Sequence, residues 1–75
     1  MQVDWRECAL VEMVPGKLSG APVIRGTRVR PEDLVVNRSQ GLAWLVENFG
    51  IPAETVRAMF TFYDQHKRAR APHPA

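Results

Sequence analysis

The 75-residue chain reads as a mainly α fold, a small three-helix helix-turn-helix domain preceded by a short N-terminal β-hairpin or strand pair. Three observations predict it. Apolar residues recur at helical spacing in the second half, where Val56, Met59, Phe60 and Tyr63 stand at i, i+3, i+4 and i+7. Pro31, Gly41, Gly50 and Pro52 punctuate that half into three segments. The first third carries instead short apolar runs bounded by the turn signals Pro15-Gly16 and Ser19-Gly20.

The expected β element spans residues 9–29. A first strand is expected from Leu10 to Val14 and a second from Pro22 to Ile24. Trp5, ahead of the first strand, is expected as a core or interface anchor, since aromatic rings dominate both kinds of burial. The run from Gly20 to Val29 (Gly-Ala-Pro-Val-Ile-Arg-Gly-Thr-Arg-Val) is the most constrained part of the chain. Gly20 and Gly26 admit positive φ, while Pro22 fixes its own φ and pushes Ala21 toward an extended backbone. Thr27 is expected to bond its hydroxyl to nearby backbone. The connection between the strands is longer than a two-residue turn, so pairing within the chain and pairing across a dimer both fit.

The helices are expected at about 31–38, 42–49 and 52–66. Pro31 suits a first helical position, and Glu32 and Asp33 suit the positive end of the dipole. Leu34, Val35 and Val36 would form the apolar side of this first helix. Ser39-Gln40-Gly41 breaks the chain, and Leu42, Leu45 and Val46 give the second helix one apolar face. Residues 1–66 thus form one domain, and 67–75 a basic, flexible C-terminal tail.

Size and composition narrow the function. A chain this short buries only about 60–65% of the surface it exposes when unfolded, which favours further burial in a homodimer or against a partner. Cys8 is the lone cysteine and is expected as a small buried apolar residue in a reducing compartment. No apolar run reaches the length of a membrane span and nothing near Met1 resembles a signal peptide, so a cytoplasmic protein with no membrane partner is expected. Catalytic triads, metal-ligand spacings and phosphate-cradling loops are all absent from the sequence, which points to a non-enzyme with no cofactor and no bound metal.

The net charge of +2 is unevenly spread. Arg25, Arg28 and Arg30 cluster at the glycine-bounded run, and Lys67, Arg68 and Arg70 near the C-terminus. Between residues 31 and 64, two arginines face five acids, a net of −3. Two basic clusters on a chain of pI about 9.2 suit a polyanion or an acidic protein surface. If the third helix enters a major groove, Thr55, Arg57, Ala58 and Thr61 are the residues that reach bases. One cation among them, beside Glu54, is sparse equipment. DNA contact would therefore draw also on Arg25, Arg28 and Arg30, gripping phosphates or entering a groove as an arm. Arg28 is expected first of all to serve architecture, through an internal ion pair or a helix-carbonyl cap.

The motif Gly20-x-Pro22-Val23-Ile24-x-Gly26-Thr27-Arg28-Val29, followed by an early helix and by Gly41 and Glu54, resembles the small bacterial family known as domain of unknown function 433. The resemblance runs from about Leu10 to Tyr63. Ala21 stands where that family usually carries lysine, and Arg30-Pro31 replaces its usual Pro-Val pair. The resemblance implies a homeodomain-like helix-turn-helix and a VapB-type antitoxin that neutralises a PIN-like ribonuclease toxin and binds operator DNA. Nucleases of that class gather carboxylates around Mg²⁺, and a basic segment can block such a mouth by ion pairing. His66, Lys67, Arg68 and Arg70 are the candidate toxin-binding residues; a solvated helix end, where cations suit the dipole, explains them equally well.

The leading functional expectation is therefore an antitoxin of a type II toxin-antitoxin pair that also autoregulates its operon. Two alternatives stand beside it: a protein-interaction or oligomerisation module without nucleic-acid binding, and a stand-alone DNA-binding regulator.

Overall fold

Helix ends follow the proline and glycine punctuation. In the computed structural model, which describes residues 3–69 and side chains as far as Lys67, α1 spans Pro31–Val36. Pro31 occupies its first turn, where a missing N–H costs no bond, and Glu32 and Asp33 follow it. The helix stops short of residue 38 because Asn37 turns back on it: its Nδ2 donates to the Asp33 carbonyl at 2.8 Å. A 3-10 turn at Arg38–Gln40 leads into α2, Leu42–Phe49. Gly50 ends α2 in the left-handed conformation, φ +67°, and its N–H donates to the Val46 carbonyl at 2.9 Å. The third helix, α3, runs Ala53–Ala69. It is therefore longer than the expected 52–66, and positions 67–69 of the expected tail are helical; residues 70–75 lie outside the described residues.

The N-terminal region forms its strand pair within the chain. Strand β1 (Val11–Glu12) runs antiparallel to β2 (Val23–Ile24), with Val11 opposite Ile24 and Glu12 opposite Val23. The Arg25 N–H donates to the Leu10 carbonyl at 2.8 Å. Ladder alternation then turns the backbone groups of Val11 and Ile24 away from each other, toward the two outer edges. Each edge is closed by the chain itself. Ile24 donates to the Val29 carbonyl at 2.8 Å, and its own carbonyl accepts from the Thr27 N–H at 2.9 Å and the Thr27 hydroxyl at 2.7 Å. Val11 donates to the Cys8 carbonyl at 3.1 Å. At these positions little remains for a second copy to pair with.

One carboxylate fastens the loops around this pair. Glu12 Oε2 accepts from the Gly26 N–H at 2.9 Å and from Lys17 Nζ at 3.2 Å. The Gly26 amide, and then the Lys17 ammonium, hold the Glu12 carboxyl below its ordinary value. Gly26 has φ +81°, a conformation in which an L side chain is strained. A second strained turn lies in the connection, where Leu18 and Ser19 have φ of +50° and +58° ahead of Gly20. Left-handed backbone at an L residue costs about 1–2 kcal/mol.

Both strands, all three α-helices and the N-terminal turn feed one core. Trp5, Cys8, Val11, Ile24, Leu34, Leu45, Ile51, Val56 and Met59 are all buried in it. Trp5 belongs to a 3-10 turn (Trp5–Glu7) that docks on α3, its ring centroid 5.5 Å from that of Phe62 and 6.1 Å from that of Tyr63. Burying a side chain such as Leu34 contributes about 1.5–3 kcal/mol. Val36 departs from the expected apolar side of α1. It is 72% exposed, because two residues along a helix is more than half a turn away from buried Leu34. Arg38 ties the turn after α1 to α3: both its terminal nitrogens reach Asp64 at 2.8 Å while its guanidinium lies 4.4 Å from the Phe60 ring centroid. Asp64 holds the Arg38 guanidinium above its ordinary value. No described helix is long and apolar enough to cross a membrane.

Two stability measurements check this architecture. Leu34→Ala is expected to lower the unfolding free energy by about 2–5 kcal/mol in chemical denaturation, while Val36→Ala changes it by no more than about 0.5 kcal/mol. Because the folded Glu12 carboxyl titrates below its unfolded value, its contribution is full above the unfolded value and is lost as pH falls through the folded one. Unfolding midpoints measured across the acid range should therefore drop less steeply in Glu12→Gln than in the parent.

Candidate functional site

The α2–α3 pair has helix-turn-helix dimensions: two helices joined by the three residues Gly50-Ile51-Pro52. Ile51 is buried, so the turn is anchored in the core, and α3 packs through Val56 and Met59. The opposite side of α3 presents Glu54, Arg57, Ala58, Thr61 and Gln65, all exposed. Their spacing of i, i+3, i+4, i+7 and i+11 places them along one stripe. Arg57 and Thr61 of the expected DNA-binding set therefore share a face, and Thr55 is half-buried beside it. Among the described residues Arg57 makes no side-chain hydrogen bond or ion pair.

The three arginines of the glycine-bounded run divide. Arg25 lies over β1: Nε is 3.3 Å from the Ala9 carbonyl, Nη2 3.4 Å from the Val11 carbonyl and Nη1 3.6 Å from Glu12 Oε1. It covers the carbonyls of Val11 in β1 and of Ala9 just before it, and completes the Glu12 cluster. Arg28, by contrast, is exposed and makes no ion pair or side-chain hydrogen bond among the described residues. The architectural role expected of Arg28 thus falls to Arg25. The backbone decides this: Arg25 is bonded directly to Leu10, the residue before β1, while Arg28 lies in the turn that returns the chain from Ile24 to Val29. Arg30 precedes α1 in an extended conformation, φ −82° and ψ 144°, as a residue before proline must, and is also exposed.

Of the expected toxin-binding residues, His66 and Lys67 lie on α3 with their side chains described. His66 stacks on Phe62 with centroids 3.7 Å apart, and Nδ1 lies 3.0 Å from the Phe62 carbonyl. Its Nε2 reaches to 3.7 Å from Glu7 Oε1, so His66 helps hold the N-terminal turn on α3. Lys67 is exposed, with its ammonium 5.2 Å from the Tyr63 ring centroid. The Arg68 side chain and the whole of Arg70 lie outside the described residues.

Glu12 is the residue that sequence reasoning passed over. Its signal was present: it is the sole acid between Glu7 and Glu32, among four cations. Thr27 behaves as expected, since its hydroxyl donates to Ile24 and accepts from the Val29 N–H at 3.0 Å. Among the described residues there is no pocket and no group of three or more His, Cys, Asp or Glu placed to hold a metal. What this surface offers a partner is charge, hydrogen bonding and exposed apolar side chains.

A family model described as "Protein of unknown function (DUF433)" matches residues 11–63. That span begins at β1 and ends within α3, so it takes in the strand pair, the Glu12 cluster and the helix-turn-helix. No curated protein matches the chain. Among solved structures, a DUF433 member protein from Anabaena variabilis is similar to it, with a TM-score of 0.56 at 30% identity over 80% of this chain. The similarity covers 62% of that protein, so this chain spans less than two thirds of its length. Sequence motif, strand pair and helix arrangement agree with the match, and the chain belongs to the DUF433 family.

Proposed function

We propose that this protein is an antitoxin, a dimeric DNA-binding repressor of its own operon that also neutralises a PIN-like ribonuclease. The observation that carries the DNA-binding half is the exposed polar stripe of α3, on the second helix of a pair joined by three residues. In a major groove Arg57 is suited to guanine, and Glu54, unfavourable against phosphate, can accept from the cytosine amino group. Arg30, exposed at the entry to α1, supplies a phosphate contact. The neutralising half is supported by the family resemblance. It is supported also by the basic run that continues α3 beyond His66, which suits the carboxylate-lined mouth of such a nuclease.

Fluorescence anisotropy on a duplex from the chain's own promoter tests the first half. Arg57→Ala is expected to cost about 1–3 kcal/mol and relax sequence preference. Arg30→Ala should weaken all sequences alike and reduce the slope of log affinity against log salt by about 1. Affinity that is insensitive to salt would remove the DNA-binding reading. For the second half, alanine at Lys67, Arg68 and Arg70 together should relieve inhibition of the PIN-like nuclease encoded beside this gene. DNA binding with no such neighbour would leave a stand-alone regulator.

A further inference from the structure

Four large hydrophobic side chains are exposed among the described residues, and three of them sit in the connection between the strands: Met13 at 39%, Val14 at 37% and Leu18 at 41%. Leu18 gives the fold little in return for its place. It is exposed, and it is held at φ +50°, where leucine is strained. Two successive turn bonds hold it there, from the Gly20 N–H to the Lys17 carbonyl and from the Ala21 N–H to the Leu18 carbonyl, each 3.0 Å. The segment is a fixed loop that displays apolar side chains.

Glu12 places that loop beside positive charge. Its carboxylate binds Lys17, next to Leu18, and Gly26, between Arg25 and Arg28, so the connection and the following turn are drawn to one carboxylate. Between residues 12 and 30 this single acid stands against four cations, a net of +3. Arg28 among them is exposed and without an ion pair among the described residues.

We infer that the loop carrying Met13, Val14 and Leu18, with Arg25 and Arg28 at its side, is the docking surface for an acidic protein. The proposal rests on the antitoxin reading only for the partner's identity, which would be the nuclease; it adds, beside the C-terminal run, a second contact on the strand pair. Three apolar side chains suit a protein surface and not a phosphate backbone. A symmetric contact with a second copy would set the arginines of one against those of the other, which disfavours self-association through this face. An acidic surface meets both parts: apolar side chains cover the loop, and carboxylates pair with Arg28 in the bidentate geometry guanidinium prefers. Because the loop is already fixed, ordering it costs the complex little.

The test places a photo-crosslinking amino acid at Leu18, at Val36 or at Lys67 of the full-length chain, expressed in its native host. Val36 is an exposed apolar control on α1. Cross-linked products are identified by mass spectrometry. The expected result is one acidic protein captured from position 18 and not from 36. Its yield should fall at least tenfold with Arg28→Glu, a change that touches no internal ion pair, with an unchanged circular dichroism spectrum as the check on folding. Capture of a second copy of the chain, of nucleic acid, or of nothing from position 18 overturns the proposal, as does capture indifferent to Arg28→Glu. If the captured protein is acidic but no nuclease, the docking surface stands and the antitoxin reading falls. If the nuclease is captured only from position 67, the antitoxin reading stands and this surface falls.

Discussion

With 75 residues, no pair of elements can bury enough apolar surface alone, so every element has to contribute to one core. The buried set shows how widely the demand is spread: Trp5 and Cys8 from the N-terminus, Val11 and Ile24 from the strands, Leu34 from α1, Leu45 from α2, Ile51 from the turn, Val56 and Met59 from α3. Each strand and each α-helix contributes one or two residues, and the N-terminal turn adds Trp5. The docking of Trp5 onto Phe62 and Tyr63 follows from this need, and so does the stacking of His66 on Phe62. An N-terminal segment that sequence alone leaves unplaced becomes part of the helical core.

Short strands create a second problem, which polar groups solve. Two residues per strand cannot hold a hairpin register, and an isolated two-stranded pair is marginal in water. Here the outward groups of Ile24 are taken up by Thr27 and Val29, and Arg25 covers the carbonyls of Ala9 and Val11. The Glu12 carboxylate joins the two loops that would otherwise splay. These contacts explain why an arginine, a glycine and a threonine occur together as Arg25-Gly26-Thr27. Gly26 offers its amide to Glu12 at a positive φ, Thr27 closes the turn, and Arg25 guards the edge, while Arg28 makes no ion pair or side-chain hydrogen bond among the described residues.

The same economy separates two surfaces. Once α3 has turned Val56 and Met59 inward, Glu54, Arg57, Ala58, Thr61 and Gln65 must face out. That stripe suits the groove-reading role of a second helix. The strand-pair loop, with apolar side chains and arginine, has a different chemistry and suits a protein.

Local chemistry was legible in the sequence wherever a residue acts on its own backbone. Pro31, Gly50 and the acids after Pro31 marked helix ends; apolar spacing marked the buried face of α3; Thr27 announced its turn; Cys8 and Trp5 announced burial. Those signals depend on φ, on an N–H or on a period, all of which belong to neighbouring residues. What the tertiary structure decided lay between residues far apart in the chain. The strands pair within the chain because the edges are closed by Thr27, Val29 and Arg25. Arg25 and Arg28 exchange expected roles because only one of them lies against β1. Glu12 meets Gly26 across 14 positions and Arg38 meets Asp64 across 26, and no local pattern specifies which of several acids a given cation will reach. Partner choice over such separations is set by where the packed core brings the chain past itself, and that path exists only once the whole molecule has folded.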